Sequence, residues 1–257
     1  MPEVNVADAR IGYRTEGSGP ALVLVHGTGG GSEMWDGLLP ALTERHTLIL
    51  PDLSGSPAAQ DDGGDLTIAM LAGQVAAVVE DAAVGPAHVL GFSLGAPVAA
   101  ALAATRPDLV NRLIAVAGWT YSHDDEYLRL MMTLWRDLAA DPVAFGRLAT
   151  LTAFSPGFLN TIGSAAVKDN TTYMRPTPGT LRQIELNLRV DIRDLLPLVT
   201  APTLVIGCSQ DSTIPVQNAR TLHAEIPDSS YAELDTGHVA LFERPEEFLS
   251  LVTNFLA

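Results

Sequence analysis

The chain has 257 residues, 47% of them hydrophobic and 18% charged, with a mean hydropathy of +0.21. That length holds one large core plus an insertion, and the composition leaves no polar tract long enough to stay disordered. Fifteen Lys and Arg against thirty Asp and Glu give a formal charge of −15, which repels phosphates and excludes nucleic acid as an expected partner.

The N-terminal stretch MPEVNVADARIGYRTEG lacks the basic start and apolar middle of a signal peptide, and Pro, Gly or charge breaks every alanine-rich stretch before it spans a bilayer. A cytoplasmic chain with no membrane partner is therefore expected; the oligomeric state is left open. Residues 5–20 read as a hairpin that enters a sheet antiparallel. Apolar runs rich in Val, Ile and Leu then follow at 21–27, 46–52, 87–92, 112–118 and 202–208, with a shorter one at 230–237. Helical periodicity falls between them, at 35–44, 67–83, 94–105, 216–225 and 245–256. Strands alternating with helices in this way predict an α/β fold on a mainly parallel sheet.

About 80 residues separate the strand ending at Gly118 from the one starting at Pro202, far more than a crossover needs. Apolar spacings of three and four within DDEYLRLMMTLWRDLAA, PVAFGRLATLTAF and TLRQIELNLRVDI predict several inserted helices. The expected division is a core of residues 1–118 and 198–257 with a helical cap at 119–197.

Gly91-Phe92-Ser93-Leu94-Gly95 fits G-x-S-x-G, the elbow in which a serine stands on a sharp strand-to-helix turn with its hydroxyl above the sheet. Its context meets that condition, since AHVL before it reads as strand and APVAAALAATRP after it as helix. A hydroxyl nucleophile needs a base and the base an orienting carboxylate. Asp211, in GCSQDSTIP, and His238, in DTGHVALFERP, each follow a predicted strand, so all three fall at the same edge of the sheet. Asp235 is the rival acid, but it lies on the strand leading into the histidine turn. Oxyanion donors are expected from the amides of Thr28, in the glycine-rich turn HGTGGGSEMW, and of Leu94.

A dinucleotide site is excluded by spacing: the sixth position of G-x-G-x-x-G is Ser32 counted from Gly27 and Met34 counted from Gly29. His26 is expected to tie its loop together by hydrogen bonds. The histidines at 26, 46, 88, 123, 223 and 238 show no HxxxH or HxH spacing, and the one cysteine, Cys208, reads as packing at a strand end. Neither a metal nor a cofactor is expected.

With LVLVHGTGG, HVLGFSLGAPVAAALAATRPDLVNRLIAVAG, APTLVIGCSQDSTIP and LDTGHVALFERPEEF in this order, the sequence resembles the α/β-hydrolase superfamily over nearly its whole length. The resemblance implies that family's fold, with an inserted helical cap, and a triad of Ser93, Asp211 and His238 in the family's order of nucleophile, acid and histidine. It does not imply one reaction. A cofactor-independent serine hydrolase acting on an ester or related carbonyl of a moderately large hydrophobic small molecule is the first expectation. The alternative is a lyase that eliminates an acyl group such as acetate from an acetylated, polyketide-type intermediate. A non-catalytic ligand-binding protein is the third. The Ala, Gly and Pro content is similar to that of actinobacterial proteins, whose small α/β hydrolases serve natural-product pathways. Expected pocket walls are Trp119, Tyr121, Met131, Met132, Trp135 and Phe154. Where many relatives carry a basic, histidine-containing turn, this chain has DLSGSPAAQDDGGD, and the 54–65 segment is expected to form a mobile or differently shaped rim.

Overall fold

A computed structural model describes residues 1–257. In chain order the elements are β1 (Glu3–Val6), β2 (Ala9–Gly17), β3 (Ala21–Val25), α1 (Leu39–Leu42), β4 (Thr47–Pro51), α2 (Ile68–Asp81), β5 (Ala87–Phe92), α3 (Gly95–Thr105) and β6 (Val110–Val116). They continue with α4 (Glu126–Leu138), α5 (Pro142–Ala153), α6 (Pro156–Tyr173), α7 (Pro178–Asn187), β7 (Thr203–Cys208), α8 (Val216–Glu225), β8 (Ser230–Leu234), α9 (Ala240–Glu243) and α10 (Pro245–Leu256). The eight strands form one sheet in the order β1-β2-β4-β3-β5-β6-β7-β8. β1 and β2 pair as the expected antiparallel hairpin, β2 joins β4 antiparallel, and every later pairing is parallel.

The strands are apolar throughout because both faces of the sheet are covered. Successive residues point to opposite faces, so in β3 Val23 and Val25 pack into one core while Leu22 and Leu24 pack into the other. β5 divides the same way, Val89 to the first core and Leu90 with Phe92 to the second. α3 is hydrophobic all round, as a helix buried on every side must be. Its run Ala99, Ala100, Ala101 is almost fully buried, and the small side chains let it lie close between the sheet and α2.

Two predicted elements come out differently. The helix expected at 35–44 is instead a 3₁₀ turn, Ser32–Trp35, and the single turn α1. Pro40 has no N–H for the bond that a helix continuing from Trp35 would need there, so it stands in the first turn of a new helix, and Gly37 weakens the segment before it. α6 was not among the predicted segments. Phe158 and Leu159 near its start pack against the core only partly buried, no residue of it is fully buried, and Gly163 breaks it with φ +78°.

Four helices, α4 to α7, occupy the interval between β6 and β7. The 54–65 rim is tied to its surroundings by side-chain and backbone contacts. Arg182 of α7 pairs with Asp61 at 2.7 Å, Gln74 donates to Ser54 Oγ at 2.8 Å, and Gln60 exchanges backbone hydrogen bonds with Arg10. Burial opposes the charge on Asp61, but hydrogen bonds led by the one from Arg182 outweigh it and hold the carboxyl below its usual range. No helix is long and apolar enough to cross a membrane.

Candidate active site

The strand order reverses at β3: the chain passes from β3 to β4 on one side, then returns to β5 on the other. Open parallel sheets bind ligands in the crevice that such a reversal leaves at the carboxyl ends of the strands. The turns after β3 and β5 are the ones that carry Thr28 and Ser93.

Ser93 sits at φ +55°, a left-handed conformation that costs a non-glycine residue energy and persists only where its surroundings enforce it. Its N–H donates to Val116 O and its carbonyl accepts from Ala96 N, both at 2.9 Å. The flanking glycines are dictated by close backbone approach. A Cβ on Gly91 would collide with the Gly95 carbonyl, and one on Gly95 with the Val25 carbonyl. The elbow is thus wedged between β3 and the first turn of α3.

His238 follows β8, and its Nε2 lies 2.9 Å from Ser93 Oγ. Its Nδ1 is 2.6 Å from Asp211 Oδ2. The other carboxylate oxygen of Asp211 accepts from the amides of Thr213 and Ile214, each at 2.8 Å. Those two donors fix the orientation of the carboxyl group and leave its other oxygen aimed at the imidazole. Ser93, Asp211 and His238 are 7%, 9% and 5% exposed, so their hydrogen-bonded line is largely shielded from water. Asp235, the rival acid, accepts instead from Ser209 Oγ and Gln210 Nε2 at an exposed position.

The amides of Thr28 and Leu94 donate to no acceptor within the chain, whereas Gly29 N after the first and Ser93 N before the second are engaged. His26 performs the loop-tying role expected of it. Its Nε2 accepts from Leu53 N at 3.1 Å, which fixes the tautomer and leaves Nδ1–H to donate to Gly27 O at 2.9 Å. Burial lowers its pKa, consistent with a neutral ring. Cys208 is buried behind the histidine loop, 3.8 Å from His238 O, and burial pushes its thiol up to about 12. It is inert packing, as expected.

The expected pocket walls separate. Phe154 is buried, stacks on Phe158 at 5.3 Å and shares an apolar cluster with Phe92 and Val239, which flank the site. Met131 and Met132 are buried on α4, and Met132 Sδ lies 3.4 Å from Asn187 Nδ2. Trp119 is fully buried with its indole N–H donated to Ser122 Oγ. Trp135 is half-buried, edge to face with Phe145. Tyr121 is half-buried, its ring centroid 3.5 Å from the Arg193 guanidinium and its hydroxyl meeting Asp124. The three aromatic residues from the start of the insert and α4 thus have structural partners of their own.

Glu243 also holds the histidine turn in place. Glu243 Oε1 accepts from Ser155 N at 2.7 Å and Gly237 N at 3.1 Å, while its Oε2 accepts from Ser155 Oγ at 2.7 Å. It therefore stitches the residue before His238 to the turn between α5 and α6. Its signal in the sequence is a glutamate five residues after the histidine, without meaning until Ser155 is known to face it.

Residues 20–245 match the alpha/beta hydrolase fold family, and the chain belongs to that family. Among curated proteins it is 42% identical to the pyrrolizixenacetamide deacetylase of Xenorhabdus hominickii, over 100% of this chain and 98% of that protein. It is 30% identical to the pimeloyl-[acyl-carrier protein] methyl ester esterase of Nitrosomonas europaea, over 94% of this chain and 98% of that one. The crystal structure of the enol-lactonase from Burkholderia xenovorans LB400 superposes with a TM-score of 0.87 at 23% identity, over 99% of each chain, and shares the fold. Proteins similar to this one are thus hydrolases of more than one acyl substrate, and a hydrolytic enzyme is the class that fold and relatives define.

Proposed function

We propose that this protein is a cofactor-independent serine hydrolase that removes a short acyl group, acetyl foremost, from the nitrogen or oxygen of a hydrophobic small molecule. The observation that carries the reading is the continuous relay from Asp211 through His238 to Ser93, beside two amides without acceptors. His238 Nε2 takes the proton of Ser93 Oγ as the oxygen attacks the acyl carbon. The amides of Thr28 and Leu94 receive the charge that develops on the carbonyl oxygen. Asp211 holds the imidazole in the required tautomer and stabilises the imidazolium. The imidazolium then protonates the departing amine or alcohol, and a water deprotonated by His238 releases the acid.

The acyl group is inferred from the 42% identical relative, whose name is that of a deacetylase acting on an acetamide. A net charge of −15 and a single lysine, Lys168, disfavour polyanionic substrates and acidic protein carriers. We assign residues 119–197 to a cap over this site, with Met131 and Phe154 as the apolar contacts best placed to face it.

Turnover of 2-phenylethyl acetate in ¹⁸O-labelled water tests the reaction type. Attack at the acyl carbon predicts 2-phenylethanol and acetate carrying one ¹⁸O. Elimination, in which His238 removes the benzylic proton and acetate departs intact, gives styrene and unlabelled acetate, and that result would replace this reading. N-acetyl-2-phenylethylamine, assayed alongside for labelled acetate, extends the test to amides.

A further inference from the structure

We infer that Gln183 and Asn187 of α7 are positioning residues for the oxyanion hole, so that the inserted helices help to build the catalytic machinery as well as cover it. The inference rests on the proposed role of the Thr28 amide. The two side chains stand four residues apart, on one face of the helix, and both reach the loop after β3. Gln183 Oε1 accepts from Gly29 N at 2.7 Å, while its Nε2 donates to Ser54 O at 3.1 Å. Asn187 Nδ2 donates to Thr28 Oγ1 at 2.9 Å. The side chain of Thr28 is held from α7, and so is the peptide that follows it. The direction of the Thr28 N–H is thereby set by contacts 154 and 159 residues away in sequence.

Asn187 is the informative member of the pair. It is 1% exposed, and its Oδ1 is buried with no hydrogen-bond partner. A buried, unpaired amide oxygen is a burden on folding. Its other neighbour is the Met132 thioether, beside which a leucine would pack without any unpaired atom. A residue serving stability alone would be better replaced there by an apolar one. What the asparagine supplies and leucine lacks is the donor to Thr28 Oγ1. A donor amide must stand close to where the oxyanion forms, and a displacement of about 1 Å can cost about a hundredfold in rate. Holding the loop is therefore a contribution to turnover paid for in stability.

The test is a double-mutant cycle on the full-length enzyme with 4-nitrophenyl acetate, combining Asn187→Leu with Thr28→Val, which keeps the Thr28 amide and removes the hydroxyl that Asn187 holds. Asn187→Leu is expected to unfold at a temperature no lower than wild type, yet to lose about tenfold to a hundredfold in kcat with KM within about twofold. Thr28→Val should lose a similar factor, and the double variant no more than the larger single loss. Gln183→Leu should lower kcat likewise, with Gln183→Glu, which retains the acceptor for Gly29 N–H, recovering part of it. Unchanged kcat in Asn187→Leu, losses that multiply in the double variant, or a kcat loss matched by loss of folded protein would overturn the proposal. Reaction of the wild-type enzyme with a fluorophosphonate separates the two levels. Modification of Ser93 together with multiplying losses defeats the positioning role alone, whereas no modification of Ser93 defeats the hydrolase reading and the positioning role with it.

Discussion

Replacing Ser93 with alanine is expected to lower kcat by about three to six orders of magnitude, with the residual rate coming from the two amides and from binding. The protein should remain folded. Ser93 contributes one hydroxyl to its surroundings, and its backbone bonds to Val116 and Ala96 survive the substitution. Alanine keeps the φ +55° strain of the elbow and adds no atom to it. Asp211→Asn should approach the same loss by another route. The amides of Thr213 and Ile214 would hold the asparagine Oδ1 in place, presenting the NH₂ group to His238 Nδ1. An imidazole facing a donor there must carry its proton on Nε2, and that tautomer cannot accept the serine proton. Steady-state kinetics on 4-nitrophenyl acetate, with circular dichroism of each variant, checks both. Turnover by folded Ser93→Ala within tenfold of wild type would remove Ser93 from the mechanism.

Gly95→Ala should be among the most destabilising single substitutions in the chain. The added methyl would overlap the Val25 carbonyl and lie 2.8 Å from the His26 carbonyl. Both belong to β3 and its turn, in the middle of the sheet, so no flexible side chain can give way. Overpacking that forces backbone apart belongs to the rare class costing upward of about 4 kcal/mol. Gly73→Ala provides the contrast. It lies inside α2 with nothing within 4 Å of the added carbon, and should stabilise by about 0.5–1 kcal/mol through helix propensity alone. Urea unfolding of the two variants and wild type measures the difference directly. A Gly95→Ala midpoint close to wild type would mean that the elbow is looser than its contacts imply.

The parts of this molecule that can be read from sequence are those whose physics is local. The elbow is legible because the motif that places a serine between glycines 91 and 95 is short and contiguous, with the Gly91 collision falling inside the same turn, and the flanking strand and helix declare themselves by periodicity. Asp211 could be preferred over Asp235 because position after a strand, rather than on it, decides which carboxylate can reach the histidine. Gln183, Asn187 and Glu243 were not legible, since each acts across a contact between distant segments. A glutamine and an asparagine on a helix carry no chemical signature until Thr28 and Gly29 are known to lie against them. The rim at 54–65 departs from the turn that many relatives carry, and its attachment was hidden for the same reason, the ion pair joining Asp61 to Arg182 of a distant helix. Partners of the aromatic residues were equally hidden. Tyr121 leaves a strand at its carboxyl end, where sites form, and the Arg193 guanidinium against its ring comes from a segment 72 residues further along the chain.

The central claim is that His238, aligned by Asp211, makes Ser93 a nucleophile. Intact-mass and peptide mass spectrometry after treatment with a fluorophosphonate tests it without knowledge of the natural substrate. One phosphonyl adduct on Ser93 in the wild-type protein, reduced at least about a hundredfold in rate in folded His238→Ala, is the predicted result. An unmodified Ser93 in the wild-type protein, or modification that proceeds as fast without His238, would contradict the account.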